Sequence, residues 1–393
     1  MIKVLNVVVD NHIGGIQNRI LSVGKDLESQ GIQSIVLAPN SDGDFSNIAQ
    51  NSGFKVYQAS IESPKLFNSF RNLLKNILWV LKFPMGVIET IKVVKREDVD
   101  IVHVNGLLAL HAVFAAKITG TPIVWHLIST IYPQLLVTIV RPIYNLWANQ
   151  IVFITNNTLE YYLGVSYTQK QVRIIYEPVD LEYFDKNQIA VLKREVIYQK
   201  YGFNKEYNVV GFVGNINPQK GLECFLQVAK ELKSSSNYKL KFLIVGEASA
   251  EHTDYSKNLK KIVKNFGLQD DIIFTGKVSN LREVMSIMDI FLMTSRSEGT
   301  PLVILEAMAM EIPVVAPDVG GISEQISDGE TGFVVPPGDI EATLKSLQVL
   351  LDNPELREKM GGMGRERAKC LFSLKNCVQL HRDLYSEMVK HGK

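Results

Sequence analysis

Residue types suited to chemistry concentrate in Ser295-Arg296-Ser297-Glu298-Gly299-Thr300-Pro301-Leu302-Val303-Ile304-Leu305-Glu306. Thr300 suits a helix N-cap and Pro301 a first helical position, so a helix is expected to open there. Its first backbone amides have no partner within the helix and suit a phosphate or a sugar hydroxyl. Gly299 lets a ligand approach the backbone, and Glu298 stands in the loop just ahead. Glu306 falls in an otherwise almost wholly apolar helix, where burying an unpartnered carboxylate is costly. Ribose hydroxyls would partner it. A structural arginine or a backbone amide would serve as well, so Glu306 alone leaves both readings open.

Three further places carry candidate chemistry. Val213-Gly214-Asn215-Ile216-Asn217-Pro218-Gln219-Lys220-Gly221 follows a strand signal and opens a helix. Lys220 there is placed to meet a diphosphate as a point charge, although a lysine beside a turn is more often merely solvated. Gly14-Gly15 lies between the first strand and the first helix, as in a phosphate-binding turn. It falls short of a full G-x-G-x-x-G, and a simple tight turn is the plainer reading. His126 closes the run Val124-Trp125-His126 and could face a ligand from a strand end; His103, inside Ile101-Val102-His103-Val104, fits a core histidine better. The triplets Asp42-Gly43-Asp44 and Asp98-Val99-Asp100 have a spacing that some metal-dependent transferases use, but both read as solvated turn acids. No H-E-x-x-H, Walker loop or G-x-S-x-G occurs.

Positioning these residues requires a repeated strand–helix framework. Apolar runs at 5–9, 34–38, 100–104, 122–125, 151–154 and 172–175 alternate with helical spacing such as Ile16, Ile20, Val23 and Leu27. Uniformly apolar strands between helices imply a parallel sheet covered on both faces. The polar stretch 181–206 reads as a linker. The alternation then restarts at 209–213, 241–245, 272–275, 290–294 and 313–316. Two α/β domains are therefore expected, over 1–190 and 205–372, facing across a cleft at the strand ends. A tail helix follows over 373–393, with Cys377, Leu380, Leu384 and Met388 on one face.

The chain has 393 residues, 46% of them hydrophobic, enough for two cores. A formal charge of +1 argues against nucleic-acid binding by bulk basicity. The three cysteines, Cys224, Cys370 and Cys377, form neither a metal motif nor a disulfide framework, which points to the cytoplasm. The N-terminal run reads as a buried strand rather than a signal peptide. Region 64–96 mixes Phe67, Phe70, Trp79 and Phe83 with Arg71, Lys75, Lys82, Lys92, Lys95 and Arg96. It fits either a basic amphipathic segment at an anionic membrane surface or a pair of core-covering helices with solvated lysines.

Together these segments resemble the retaining glycosyltransferases of family 4, which have the GT-B fold. The likeness is strongest over 209–339. It includes Glu298 and Glu306 with seven residues between them, Pro313-Val314-Val315-Ala316, Asp318-Val319-Gly320-Gly321 with Glu324, and Asp328-Gly329-Glu330-Thr331-Gly332-Phe333. The resemblance implies two Rossmann-like domains, with the last helix crossing back to the first. It implies a nucleoside diphosphate sugar donor, a glycan or lipid-linked acceptor, and no metal or cofactor. Glu306 would bind the ribose. Glu298, Gly299, Thr300 and Pro301 would orient the donor sugar. Lys220 would neutralise the departing diphosphate, the Gly15 amide would assist, and His126 would touch the sugar or its phosphate. The family usually carries Arg at the position of Asn215, and Gly at those of Pro178 and Glu311. Asn215 keeps a catalytically silent glycan-binding or scaffolding protein in view beside the enzyme, and a sugar-nucleotide epimerase or hydrolase on the same fold is the enzymatic alternative.

Overall fold

The computed structural model describes residues 1–60, 64, 70–164, 172–235 and 238–391, with the side chains of 70–75, 235 and 391 outside that description. Phe67 and the side chains of Phe70, Arg71 and Lys75, part of the aromatic and basic region, therefore lie outside the described residues. The chain forms two compact units, one of Met1–Glu177 with Leu374–Lys393, the other of Pro178–Ser373.

The first unit is built on seven parallel strands: β1 (Ile2–Val7), β2 (Ile32–Pro39), β3 (Lys55–Ala59), β4 (Ile101–Asn105), β5 (Ile123–Leu127), β6 (Gln150–Phe153) and β7 (Val172–Ile174). Their order is β3-β2-β1-β4-β5-β6-β7. Helices α1 (Gly15–Glu28), α2 (Phe45–Asn51), α3 (Phe70–Glu97), α4 (Leu110–Thr119), α5 (Gln134–Trp147) and α6 (Asn156–Leu163) connect them. The central strands β4 and β5 are buried at every residue, as expected of inner strands of a parallel sheet covered on both faces, although His103, Asn105 and His126 interrupt their apolar runs. Trp125, Tyr144 and Phe153 anchor the core beneath α4, α5 and α6. β3 was not apparent in the sequence: Lys55-Val56-Tyr57-Gln58-Ala59 is a short, half-polar edge strand. α3 is one helix running through Pro84 rather than a pair.

The second unit has six parallel strands, β8 (Asn208–Val213), β9 (Leu240–Val245), β10 (Ile272–Gly276), β11 (Ile290–Leu292), β12 (Val314–Pro317) and β13 (Gly332–Val335), ordered β10-β9-β8-β11-β12-β13. Its helices are α7 (Val191–Lys200), α8 (Leu222–Ser235), α9 (Thr253–Phe266), α10 (Leu281–Met285), α11 (Leu302–Ala309), α12 (Ile322–Gln325), α13 (Ile340–Asp352) and α14 (Pro354–Leu371). Two parallel α/β sheets were expected and are present. The stretch 181–206 is not a bare linker, and the unit boundary falls ahead of it, at Glu177/Pro178. It holds α7 and is tied down by Arg365, which donates to the carbonyls of Leu181 and Phe184 at 3.2 and 2.9 Å.

The last helix, α15 (Leu374–His391), belongs to the first unit. Cys377, Leu384 and Met388 pack with Val23 and Leu27 of α1 and with Val4, Ile101, Val124 and Val152 of the sheet. With partly buried Leu380 between them, positions 377, 380, 384 and 388 recur every three to four residues, which gives the helix one apolar face, and that face is the one packed on the first unit.

Candidate active site

In the second sheet β8 and β11 are neighbours, yet the chain leaves β8 toward β9 and leaves β11 toward β12 on opposite sides. Loops after such strands diverge and open a crevice at the strand ends, where α/β proteins bind ligands. The β8 loop becomes a 3-10 turn, Pro218–Lys220, capped by Asn217, whose side chain accepts from the Lys220 amide at 3.2 Å. Gly221 follows with φ +59, and a Cβ there would lie 2.3 Å from the Thr294 carbonyl oxygen. Only glycine permits that approach. The Arg296 amide donates to the Gln219 carbonyl at 2.7 Å, and the Thr294 hydroxyl donates to that of Lys220 at 3.1 Å. These bonds stitch the two loops together and bring Lys220 Nζ within 2.7 Å of Glu298 Oε1.

The backbone of Glu298 and Gly299 is fixed from below. The Gly321 amide donates to the Gly299 carbonyl at 2.7 Å. A Cβ on Gly320, at φ +63, would lie 2.2 Å from the Glu298 carbonyl oxygen. Gly299 itself is exposed, with open space where a side chain would stand. α11 begins at Leu302 with Pro301 at the N-cap and no capping side chain. The expected cap at Thr300 is thus displaced by one residue, because Pro301 takes the extended cap conformation itself. The Thr300 hydroxyl is instead buried without a partner, and so is that of Ser295.

Glu306 sits within α11 among buried Ile304, Leu305, Ala307 and Met308. Its carboxylate makes no ion pair or hydrogen bond among the described residues. Burial pushes its pKa up to about 7, since desolvation disfavours the charged form. The group is thus ready to accept hydrogen bonds that the protein does not supply. Asn215 is exposed at the β8 turn and brings no charge. The arrangement sets a cation, uncapped helix amides and an unpartnered carboxylate around the ends of two adjacent strands.

In the first unit Gly14 and Gly15 open α1 in an exposed turn after β1, with no side-chain cap and no acid in the first turn. Asn11 holds that loop: its amide donates to the carbonyls of Ser41 and Gly43, and its oxygen accepts from Ser46. Asp100 is likewise structural, accepting from the Lys3 amide at 2.8 Å.

His126 departs from its expected role. It is fully buried and both ring nitrogens are engaged. Arg19 Nη1 lies 2.9 Å from His126 Nε2. A guanidinium only donates, so His126 carries its proton on Nδ1 and passes it toward His103 Nε2 at 3.2 Å. His103 in turn meets the Tyr385 hydroxyl of α15 through Nδ1. Arg19 also donates to Asn105 and Glu177, at 2.6 and 3.1 Å. Burial and the nearby Arg19 guanidinium hold His126 well below the usual histidine range. This histidine is a neutral link in a buried network of the first unit. Arg19 was missed, although a lone charge on the face of Ile16, Ile20 and Val23 is a legible signal of an internal ion pair.

The family model for Glycosyltransferase Family 4 matches residues 13–183, and that for Glycosyl transferases group 1 matches 193–367. The chain is 28% identical over 224 residues to N-acetyl-alpha-D-glucosaminyl L-malate synthase of Bacillus anthracis, covering 57% of this chain and 56% of that protein. It is 32% identical over 198 residues to alpha-D-kanosaminyltransferase of Streptomyces kanamyceticus, covering 50% of each. The chain thus spans about half the length of the curated relatives it matches. Among solved structures, Anabaena Alr3699/HepE superposes with a TM-score of 0.84 at 19% identity, covering 98% of this chain and all of that one. A glycosyltransferase from Rickettsia africae gives 0.82 at 20% identity, over 99% of both chains. The fold common to these structures is GT-B, and with both halves matched by their family models the chain belongs to the family 4, group 1 glycosyltransferases.

Proposed function

We propose that the protein transfers a sugar from a nucleoside diphosphate sugar to a hydroxyl of a glycan or lipid-linked glycan, with retention at the anomeric carbon. The observation that carries the reading is the half-buried, desolvated Glu306 carboxylate, without a partner among the described residues, in the helix that begins beside the Lys220–Glu298 pair. Ribose hydroxyls donating to Glu306 would supply the missing hydrogen bonds. The diphosphate would lie at the Leu302 end of α11, where amides and the helix dipole favour negative charge. Lys220 would leave Glu298 to meet the charge that develops on the departing diphosphate, releasing Glu298 to orient the donor sugar. These groups would supply the positive charge without a metal. Retention rests on the family resemblance. Support for a uridine donor comes from neighbours: Anabaena HepE has been crystallised with UDP and with UDP-glucose, and TarM of S. aureus with UDP.

The test is calorimetric titration of UDP and a panel of nucleotide sugars, followed by donor turnover. Glu306→Ala should weaken nucleotide binding by roughly tenfold or more, the value of one to two hydrogen bonds to a charged group, and abolish transfer. Unchanged affinity in that variant, or wild-type-like turnover, removes the site assignment. A wild-type protein that binds no nucleotide is a silent scaffold. One that releases free or epimerised sugar without an acceptor is the hydrolase or epimerase.

A further inference from the structure

We propose that the α3–α4–α5 face of the first unit docks on the headgroup surface of an anionic phospholipid bilayer. Leu78, Leu81, Met85 and Ile88 recur at spacings of three and four on α3 and are all exposed, Leu81 at 70%. Leu135 and Ile139 repeat the pattern on α5, Leu135 at 74%. Scattered exposed leucines are ordinary; apolar stripes on two helices of one layer are not. An aromatic seam binds the layer together. Trp79 meets Phe83 at 5.6 Å, Phe83 meets Phe114 of α4 at 5.6 Å, and Phe114 meets Trp147 of α5 at 5.0 Å between ring centroids.

Charge on the same layer selects the occupant. Among the described residues α3, α4 and α5 carry two acids, Glu89 and Glu97, and both are turned inward. Glu89 accepts from the amide and hydroxyl of Ser60, each at 2.7 Å. Glu97 is buried and accepts from Lys55 and Tyr57. Lys82, Lys92, Lys95 and Lys117 stay exposed without an opposing acid on these helices. The α3 stripe runs from apolar Leu81, Met85 and Ile88 into Lys92 and Lys95, apolar where acyl chains would be and cationic where phosphates would be. A second copy would set cations against cations. No helix among the described residues is long and apolar enough to cross a membrane, so the face lies on the bilayer.

Co-sedimentation with vesicles of phosphatidylcholine, with and without phosphatidylglycerol, tests this and requires neither donor nor turnover, so it stands or falls apart from the donor-site reading. The full chain should pellet with the phosphatidylglycerol vesicles and be released at about 1 M salt, where the screening length falls to roughly 3 Å. The pairs Leu81→Glu with Leu135→Glu, and Lys92→Glu with Lys95→Glu, alter exposed positions and should each lower partitioning on the order of tenfold while circular dichroism is unchanged. Equal pelleting on both vesicle types, or wild-type-like pelleting of both variants, overturns the proposal. So does a dimer in sedimentation velocity that Leu81→Glu with Leu135→Glu dissolves, which would make a second copy the occupant.

Discussion

Glu306 shows what one residue can reveal. Its native pKa of about 7 stands above the roughly 4.3 of an unfolded glutamate. Between those values the native state binds more protons than the unfolded one, so stability falls as pH rises through that window. Glu306→Gln removes the desolvated charge. It should raise the denaturation free energy at pH 8 by on the order of 1–2 kcal/mol, with little change near pH 4, while nucleotide binding declines. An equal gain at both pH values would refute the titration argument. A carboxylate that gives up stability in the empty protein is a usual mark of a site kept for a ligand. Glu306 was legible in the sequence because its neighbours are apolar. The Lys220–Glu298 pair was not, because it joins residues 78 apart that only the adjacency of β8 and β11 brings together. His126 misled for a related reason. Strand spacing locates a strand end, but not the later helix that covers it, and here Tyr385 and His381 of α15 complete the enclosure.

At the scale of elements, the turn between α11 and β12 carries a departure from family pattern with a physical price tag of its own. Glu311 has φ +58, a left-handed conformation that usually falls to glycine after a helix. The turn is held there by α14: a Cβ on Gly361 would lie 2.1 Å from the Glu311 carbonyl oxygen. Glu311→Gly should therefore stabilise the protein by about 0.5–1 kcal/mol in urea unfolding. The side chain contributes little against this, since its nearest cation, Arg365, is 3.9 Å away. A loss of stability would show that the Arg365 contact outweighs the backbone strain. The strands with continuous apolar runs were readable from sequence because both their faces are buried. β3 was not, since an edge strand needs only one apolar face and Lys55 and Gln58 interrupt it. The 181–206 stretch looked like a linker because what fastens it, Arg365, lies far along the chain.

For the whole molecule, the two units should answer pH in opposite senses. In the first, burial drives His103 and His126 well below the histidine range and His381 down to about 4. These rings take up protons on unfolding once the pH drops below roughly 6.5, so that unit weakens as the medium is acidified. Glu306 gives the second unit the reverse slope. Hydrogen exchange at pH 5.5 and 7.5 should show protection of α1, β4 and α15 falling on acidification, and protection of α11 rising. Parallel changes in both units would contradict the assignment of these groups. The same histidine and arginine network joins α1 to α15 within the first unit, two helices that the second unit separates in sequence. During synthesis, the first unit's sheet emerges long before the helix that closes it. At ~5–20 residues per second, the wait for α15 lasts roughly ten to forty seconds. Throughout it Arg19, His103 and the apolar positions under α15 are uncovered, so the first half of the chain to be made should be the last to finish folding.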